Sequence, residues 1–479
     1  MKNWKILLQG NWRDSINGEI IEIVDPSTGD VFASVPRGQK ADINKAVHSA
    51  RESYEKHWKK VSALERGRYL LNVSELIKKH SEELAKLESL DTGKPLKQSR
   101  NDALIASRYF EYYAGAAEKV HGDTIPFLDG YQAYTLRQPH GVTGHIIPWN
   151  YPLQMSARTF SATLAAGNAM VIKPAEEACL TVVRLAELLL ESGLPPNVIN
   201  VVTGFGEEAG AALSESSGID HLCFTGSPEI GSIVQGALSK NNISCTMELG
   251  GKSPQLIFDD ADLGFVLPTV IAAIIQNAGQ TCSAGSRVLV QENIYDRFIE
   301  MLSQKFSKLR VGSSFMDLDL GPVISSIQRD RVLSFIEKAK TDGIECIAKG
   351  NIENSVPKDG FYVPPVIYGP VPRENDLANK EIFGPVLSVL TFRDESDAIH
   401  LANNTQYGLT AGVWTQDGSR QLRVAKSINC GQVFINNYGA GGGVELPFGG
   451  MKKSGFGREK GIEGLLELTT CKTVINYHG

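Results

Sequence analysis

No stretch of this sequence is long and apolar enough to span a bilayer. The most apolar run, residues 266–275, contains Pro268 and falls far short of the roughly 20 residues a span needs. The opening MKNWKILLQGNW has neither an extended apolar segment nor a small-residue cleavage site, so no secretory leader is expected. Charge of one sign is also lacking. A net charge of −6 gives no footprint for nucleic acid or for an anionic membrane surface. Cysteines are few: seven, at 179, 223, 245, 282, 346, 430 and 471, with no CxxC spacing. The odd count and the scatter exclude a disulfide framework or zinc site as an expectation, no metal is assigned, and a reducing, cytoplasmic compartment is expected.

What is present is a chain of 479 residues, enough for two large domains, with 42% hydrophobic and 21% charged residues, the range of a globular enzyme. From 41 to 97 apolar residues recur every three or four positions, with Asp42 and Gly93 as start and stop signals, and 101–118 continues the helical pattern. Residues 122–139 read as a β-hairpin turning at Asp129-Gly130. Between 140 and 249, GVTGHIIPWN, AMVIKP, VINVVTG and HLCFTGS read as strands, followed by turns and helical segments. That alternation predicts a parallel, doubly wound sheet with ligands at the strands' carboxyl ends. It resumes from 250 to about 461 with PQLIFD, SRVLVQ and VLSVLTF, giving a second α/β domain. The tail LTTCKTVINY reads as a strand with no partner nearby. Hairpin and tail are thus two orphan β elements, whose edges would be covered by joining across subunits.

Three local features carry chemistry. In QNAGQTCSAGSR, Cys282 sits among small and polar residues, where surrounding backbone N–H groups would favour the reactive thiolate. In ELGGKSP, Glu248 ends a strand before a glycine pair, and a carboxylate near a thiol can act as general base for a water. In PWNYP, Asn150 between two prolines is a rigid amide donor suited to an oxyanion hole. Alone, each has a blander explanation: a structural thiol, a surface carboxylate before a turn, a turn asparagine.

Together they resemble one family. The motifs PWN (148–150), KPAE (173–176), FTGS with GSPEIG (224–231), ELGGKSP (248–254), NAGQTCSA (277–284), EIFGPV (381–386) and PFGGMKKSGFGRE (447–459) occur in order. They are similar to those of the aldehyde dehydrogenase superfamily, from near position 24 to the C-terminus, and the interval from Glu248 to Cys282 is also the family's. The resemblance implies an aldehyde-dehydrogenase-like α/β fold. Residues 1–119 and 140–249 would form the NAD-binding domain, 250–464 the catalytic domain, and 120–139 with 465–479 an oligomerisation element serving a homodimer or homotetramer.

It also implies oxidation of an aldehyde to the acid. Cys282 attacks the carbonyl, and Asn150 with the Cys282 N–H holds the oxyanion, where losing one such donor costs roughly 10²–10³ in rate. Hydride leaves for NAD, and Glu248 activates the water that hydrolyses the thioester. A branch that transfers the acyl group to coenzyme A lacks this glutamate. None of the nine histidines lies in the motifs, which speaks against a Cys–His hydrolase, and a non-catalytic descendant of the fold would have lost one of the three residues.

For the cofactor, the implied contacts are Ile146, Pro148, Trp149, Phe224, Gly226, Ser227, Ile230, Gly231, Leu249 and Gly250. Pyrophosphate is expected at the turn and helix start after HLCFTGS, and Gly206 belongs to a weaker GxG turn. Lys173 and Glu176 match positions that hold the adenosine ribose, and a carboxylate there favours NAD over NADP. Glu381 and Phe383 match the pair that holds the nicotinamide ribose and ring.

Substrate choice is expected at Tyr151, Met155, Arg158, Gln276, Thr281, Ser283, Tyr438 and Phe448. The chain departs from the family at Thr159, where a lysine is usual. Arg158 matches half of the carboxylate clamp of the succinic-semialdehyde branch, whose other arginine is Gln276 here. A carboxylate partner and a backbone or polar-ring partner for Arg158 stay open. The loop NYGAGGGV (437–444) suggests a wide mouth, hence bulky, aromatic or semialdehyde substrates, with broad aliphatic specificity as the alternative.

Overall fold

The computed structural model describes residues 2–439 and 443–479. Its larger sheet has eight strands, in the order Gly455–Phe456, Ser244–Glu248, His221–Thr225, Val142–Ile147, Ala169–Pro174, Ile199–Val201, Ile6–Leu8, Asn11–Arg13. The five from Ser244–Glu248 to Ile199–Val201 run parallel, and the others pair antiparallel at the two edges. These strands are buried on both faces and read as continuous apolar runs such as AMVIKP, as parallel sheets require. Chain order runs from Val142–Ile147 outward through Ala169–Pro174 on one side. On the other it runs through His221–Thr225, so the switch point lies between Val142–Ile147 and His221–Thr225. Ligands of doubly wound sheets bind in the crevice at that point.

A second sheet of seven strands has Pro254–Ile257 near its middle, flanked by Arg287–Gln291 and Thr410–Trp414. It has its own apolar core. The short strand Gly455–Phe456, late in the chain, leaves this half and pairs beside Glu248 in the first sheet. Among the described residues no helix is long and apolar enough to cross a membrane.

Three expectations are corrected. The helical stretch of 41–97 divides into Lys40–Lys56, Ala63–Lys79 and Ser81–Thr92, and Leu96–Ala116 follows. Asp42 does not start the first helix: Gln39 caps it, and the Asp42 carboxylate reaches back to accept from the Gln39 N–H at 3.1 Å. Gly93 does stop the third, in the left-handed conformation at φ 79°. The hairpin is looser than the Asp129-Gly130 signal implied. Thr124–Ile125 is only two residues long against Tyr131–Pro139, and residues 126–130 lie between them.

The tail is no orphan either. Thr469–Tyr477 pairs antiparallel with Tyr131–Pro139 of the same chain over nine positions, from Thr469 opposite Pro139 to Tyr477 opposite Tyr131. Sequence proximity could not show this pairing, because the two strands are far apart along the chain.

Candidate active site

The loop carrying Cys282 is bent by backbone that most residues avoid. Helix Leu263–Ile275 ends, and Asn277, Ala278 and Gly279 follow with φ of 49°, 52° and 75°. Left-handed backbone costs a residue with a Cβ about 1–2 kcal/mol, so the bend needs outside support. Asn277 provides it: its amide donates to the Asn150 carbonyl at 2.7 Å, and its N–H donates to Gln98 Oε1 at 2.9 Å. Gln280 is buried and bonded at both ends, donating to the Asn277 carbonyl at 3.0 Å and accepting from the Ile324 N–H at 2.9 Å. The Asn150 side chain donates one hydrogen to the Gln280 carbonyl at 3.0 Å. An amide nitrogen has two hydrogens, so one is left for a ligand.

Cys282 lines two cavities. The first, about 320 Å³, opens at the switch point and is walled by residues 148–150 after one strand and 225–229 after the other. Of the sequence-predicted residues it brings together Pro148, Trp149, Asn150, Gly226, Ser227, Glu248, Gly250, Cys282, Glu381 and Phe383. The second, about 360 Å³, lies on the far side of Cys282 and is lined by all eight residues expected to face substrate: Tyr151, Met155, Arg158, Gln276, Thr281, Ser283, Tyr438 and Phe448.

The remaining cofactor residues stand around the first cavity without lining it. Lys173, near the end of Ala169–Pro174, pairs with Glu176 just beyond it at 2.6 Å, and the Gly206 N–H lies 3.5 Å from the Glu176 carboxylate. Phe224 packs under Gly226, where a Cβ would strike its ring. Gly231 lies against the Leu249 side chain, which would meet any Cβ there. Ile146 is a strand residue between Phe224 and Lys173. Ile230 is the amide bonded by the Ser227 hydroxyl at 3.3 Å, which caps helix Pro228–Ser239. Phe383, at φ 61°, meets Trp149 edge-on with ring centroids 5.3 Å apart. Glu381 accepts from the Gly251 N–H at 2.8 Å, and burial raises its carboxyl to about 7.

The electrostatics correct the expectation of a resting thiolate. Burial pushes the Cys282 thiol up to about 12, against smaller help from Arg158 and the Ser283 N–H. Glu248 is 2% exposed, neither carboxylate oxygen has a hydrogen-bond partner, and burial with the nearby Glu459 holds its proton well above the usual carboxylate range. Burial thus disfavours the charged form of both groups, the thiolate of Cys282 and the carboxylate of Glu248.

Arg158, whose partner the sequence left open, has one within the protein. Its guanidinium forms a buried ion pair with Glu459 and lies over the Phe448 ring at 5.3 Å, so its charge is neutralised within the protein. The loop 437–444 is described only in part: residues 440–442, which include two of the three consecutive glycines, lie outside the described residues.

Several lining residues escaped the sequence reading. Gln328, Arg331 and Tyr407 line the first cavity, and Asn101, Ile105, Tyr109, Gln432, Phe434 and Lys460 the second. Asn101, Ile105 and Tyr109 repeat at helical spacing, a pattern that reads as core.

Comparison with known proteins agrees with this geometry. The model of the aldehyde dehydrogenase family matches residues 12–474. The chain belongs to the aldehyde dehydrogenase family. It is 42% identical over 478 residues to aldehyde dehydrogenase family 2 member B4, mitochondrial, of Arabidopsis thaliana, covering 98% of this chain and 88% of that one. A Burkholderia cenocepacia protein assigned to the same enzymes superposes with a TM-score of 0.99 at 53% identity, over 99% of this chain and 100% of that one. Betaine aldehyde dehydrogenase of Staphylococcus aureus, solved in complex with NAD+, has a TM-score of 0.96 at 35% identity, over 99% and 95% of the two chains. The family's fold is thus that of this chain.

Proposed function

We propose that this chain oxidises an aldehyde to its carboxylic acid with NAD as hydride acceptor and water as the oxygen source. The observation that carries the reading is the position of Cys282, the one predicted residue lining both cavities, between Glu248 with Asn150 on one side and an aromatic funnel on the other. The residues of the first cavity fit NAD. Gly226 and Gly250 let the backbone pack directly against Phe224 and Glu381, where a Cβ would collide, Ser227 opens a twelve-residue helix, and Glu381 and Glu176 offer carboxylates to ribose hydroxyls. A carboxylate at Glu176 accepts from a 2′-hydroxyl and repels a 2′-phosphate, which favours NAD over NADP.

In the mechanism, the Cys282 thiol passes its proton through water to solvent as its sulfur bonds to the aldehyde carbon. The resulting oxyanion accepts from the spare Asn150 hydrogen and the Cys282 N–H. Bound NAD supplies the acceptor for the hydride, leaving a thioester on Cys282. Glu248, once ionised, takes a proton from water as the water oxygen bonds to the acyl carbon. Sulfur leaves with the bonding pair, and the acid is released.

The second cavity favours a bulky, uncharged or aromatic aldehyde. Its walls include Tyr109, Tyr151, Phe434, Tyr438 and Phe448, and the neutralised Arg158 offers no clamp for a carboxylate. Broad aliphatic specificity is the alternative, since Met155 and Ile105 add aliphatic surface to the same wall. We further read residues 1–119 with 140–249 as the NAD-binding domain and 250–464 as the catalytic domain. The paired strands Tyr131–Pro139 and Thr469–Tyr477 would act as an oligomerisation element with an exposed outer face (Ile475, Tyr477). The test is cofactor reduction by the wild type and by Cys282→Ala with acetaldehyde, benzaldehyde and succinic semialdehyde. Loss in the variant is expected, with benzaldehyde ahead of acetaldehyde by about tenfold in kcat/KM in the wild type, since burying added ring surface is worth more than about 1 kcal/mol. Activity surviving Cys282→Ala overturns the mechanism.

A further inference from the structure

The residues on either side of Cys282 are each tied to a different tyrosine. Tyr151 stands at the start of helix Pro152–Ala166, and its hydroxyl is 2.8 Å from Thr281 Oγ1. Thr281 in turn donates toward the Gln276 carbonyl at 3.4 Å, so the phenol is the donor in the first bond. Tyr438, just beyond strand Gln432–Ile435 of the other half of the molecule, donates to the Ser283 carbonyl at 2.7 Å.

Both phenols are themselves anchored. The Lys94 ammonium lies over the Tyr151 ring at 4.1 Å and is fixed by Glu88 at 2.9 Å and Asp102 at 2.6 Å. Thr410 bridges Tyr438 and Ser253, at 2.9 Å from each. Ser253 belongs to the ELGGKSP turn that follows Glu248.

We propose that Tyr151 and Tyr438 are positioning residues that clamp the peptides flanking Cys282 from opposite halves of the molecule and so hold the nucleophile at the junction of the two cavities. The inference rests on the reading of Cys282 as nucleophile. The physical need for a clamp comes from the bend before it: residues 277–279 are held by Gln98, Asn150 and Gln280, all on the upstream side of Cys282, so Thr281 and Ser283 are where that support is carried past the nucleophile. Without support downstream the thiol would sample several directions. A displacement of an ångström at a reacting atom can cost on the order of 10² in rate. Tyr151 bridges the two structural halves, so its bond to Thr281 also couples the closeness of the two sheets to the aim of the thiol, while Tyr438 ties Ser283 within its own half.

Both tyrosines line the substrate cavity, and a loss of activity alone could come from lost substrate contact. The experiment separates the two. Tyr151→Phe, Tyr438→Phe, Thr281→Val and the pair Tyr151→Phe/Thr281→Val are compared in two assays. The first is kcat and KM for propanal and benzaldehyde. The second is the rate of Cys282 alkylation by iodoacetamide, mapped on the peptide, which needs neither substrate nor cofactor. A clamp predicts a fall in kcat of about fivefold to tenfold for each single variant, the loss of one hydrogen bond, similar for both aldehydes, with KM moving less than about twofold. It predicts slower alkylation in each variant, and a Tyr151→Phe/Thr281→Val pair no worse than Tyr151→Phe alone because both remove one bond. Alkylation rates equal to wild type overturn the clamp, as does a loss confined to KM or to one aldehyde. A wild type whose Cys282 resists alkylation, together with an active Cys282→Ala, overturns the nucleophile reading and the clamp with it.

Discussion

Replacing Lys94 with methionine removes one cation from between two carboxylates and leaves the shape of the side chain nearly unchanged. Lys94, Glu88 and Asp102 are each no more than 2% exposed, and the ammonium sits 2.9 Å from Glu88 and 2.6 Å from Asp102. Breaking a buried ion pair by deleting one partner typically costs 3–5 kcal/mol, roughly, because the other charge is stranded in a poor solvent. Here two carboxylates would be stranded, so Lys94→Met should lie at the upper end, about 5 kcal/mol. Asp102 is already held up at about 6 by burial, with Lys94 opposing, and without the ammonium it rises further.

A carboxyl raised in the folded state contributes stability that is present below its unfolded value, near 4, and is lost as pH rises through the folded value. The variant's deficit should therefore shrink as pH falls from 8 toward 5. The assay is urea unfolding of wild type and Lys94→Met across that range, together with Lys94→Met/Glu88→Leu/Asp102→Leu. Swapping a whole buried charge cluster for apolar groups is often neutral or better, so the triple variant should recover most of the loss. A single variant that costs less than about 1 kcal/mol, or a triple variant no better than the single, refutes the reasoning.

Other outcomes follow from the site. Glu248→Gln should leave a burst of reduced cofactor while slowing steady turnover by about 10²–10⁴, followed by rapid quench. Because burial raises the Glu248 carboxyl, wild-type turnover should rise with pH at values higher than an ordinary carboxylate would set, and that rise should vanish in Glu248→Gln. Arg158→Leu strands the buried Glu459 and should depress turnover of charged and uncharged aldehydes alike. A loss confined to aldehydes bearing a carboxylate would restore the clamp reading of Arg158. Glu176→Ala should leave Lys173 facing the ribose without its carboxylate and narrow the NAD-to-NADP ratio of kcat/KM by at least about tenfold, one lost charge repulsion of some 1.4 kcal/mol.

The motifs were legible because they are local: a strand end, a glycine turn and a polar side chain fall within a few residues, and Asn150, Glu248 and Cys282, each ambiguous alone, stood out as a set in their order along the chain. The parallel strands were legible because burial on both faces leaves unbroken apolar runs. Contacts between distant segments were not legible. Nothing near Arg158 signals that Glu459 neutralises it, and nothing in the tail names Tyr131–Pro139 as its partner. The thiol was misjudged for a similar reason. A loop of small residues suggests surrounding N–H groups, but desolvation is set by the whole enclosure. Asp42 shows the same limit at short range, since a capping carboxylate can sit three residues inside the helix it starts.

The pairing of Tyr131–Pro139 with Thr469–Tyr477 also has a consequence during synthesis. At about 5–20 residues per second, Thr469 is polymerised roughly 20–60 seconds after Pro139, which it will pair with. For that interval a nine-residue strand waits on the nascent chain with most of one edge unmatched. Such edges invite pairing with neighbouring chains. A ribosome-stalled or truncated product lacking the final strand should therefore be a client of chaperones, and the last nine-residue strand acts as the closing stitch that ends this exposure.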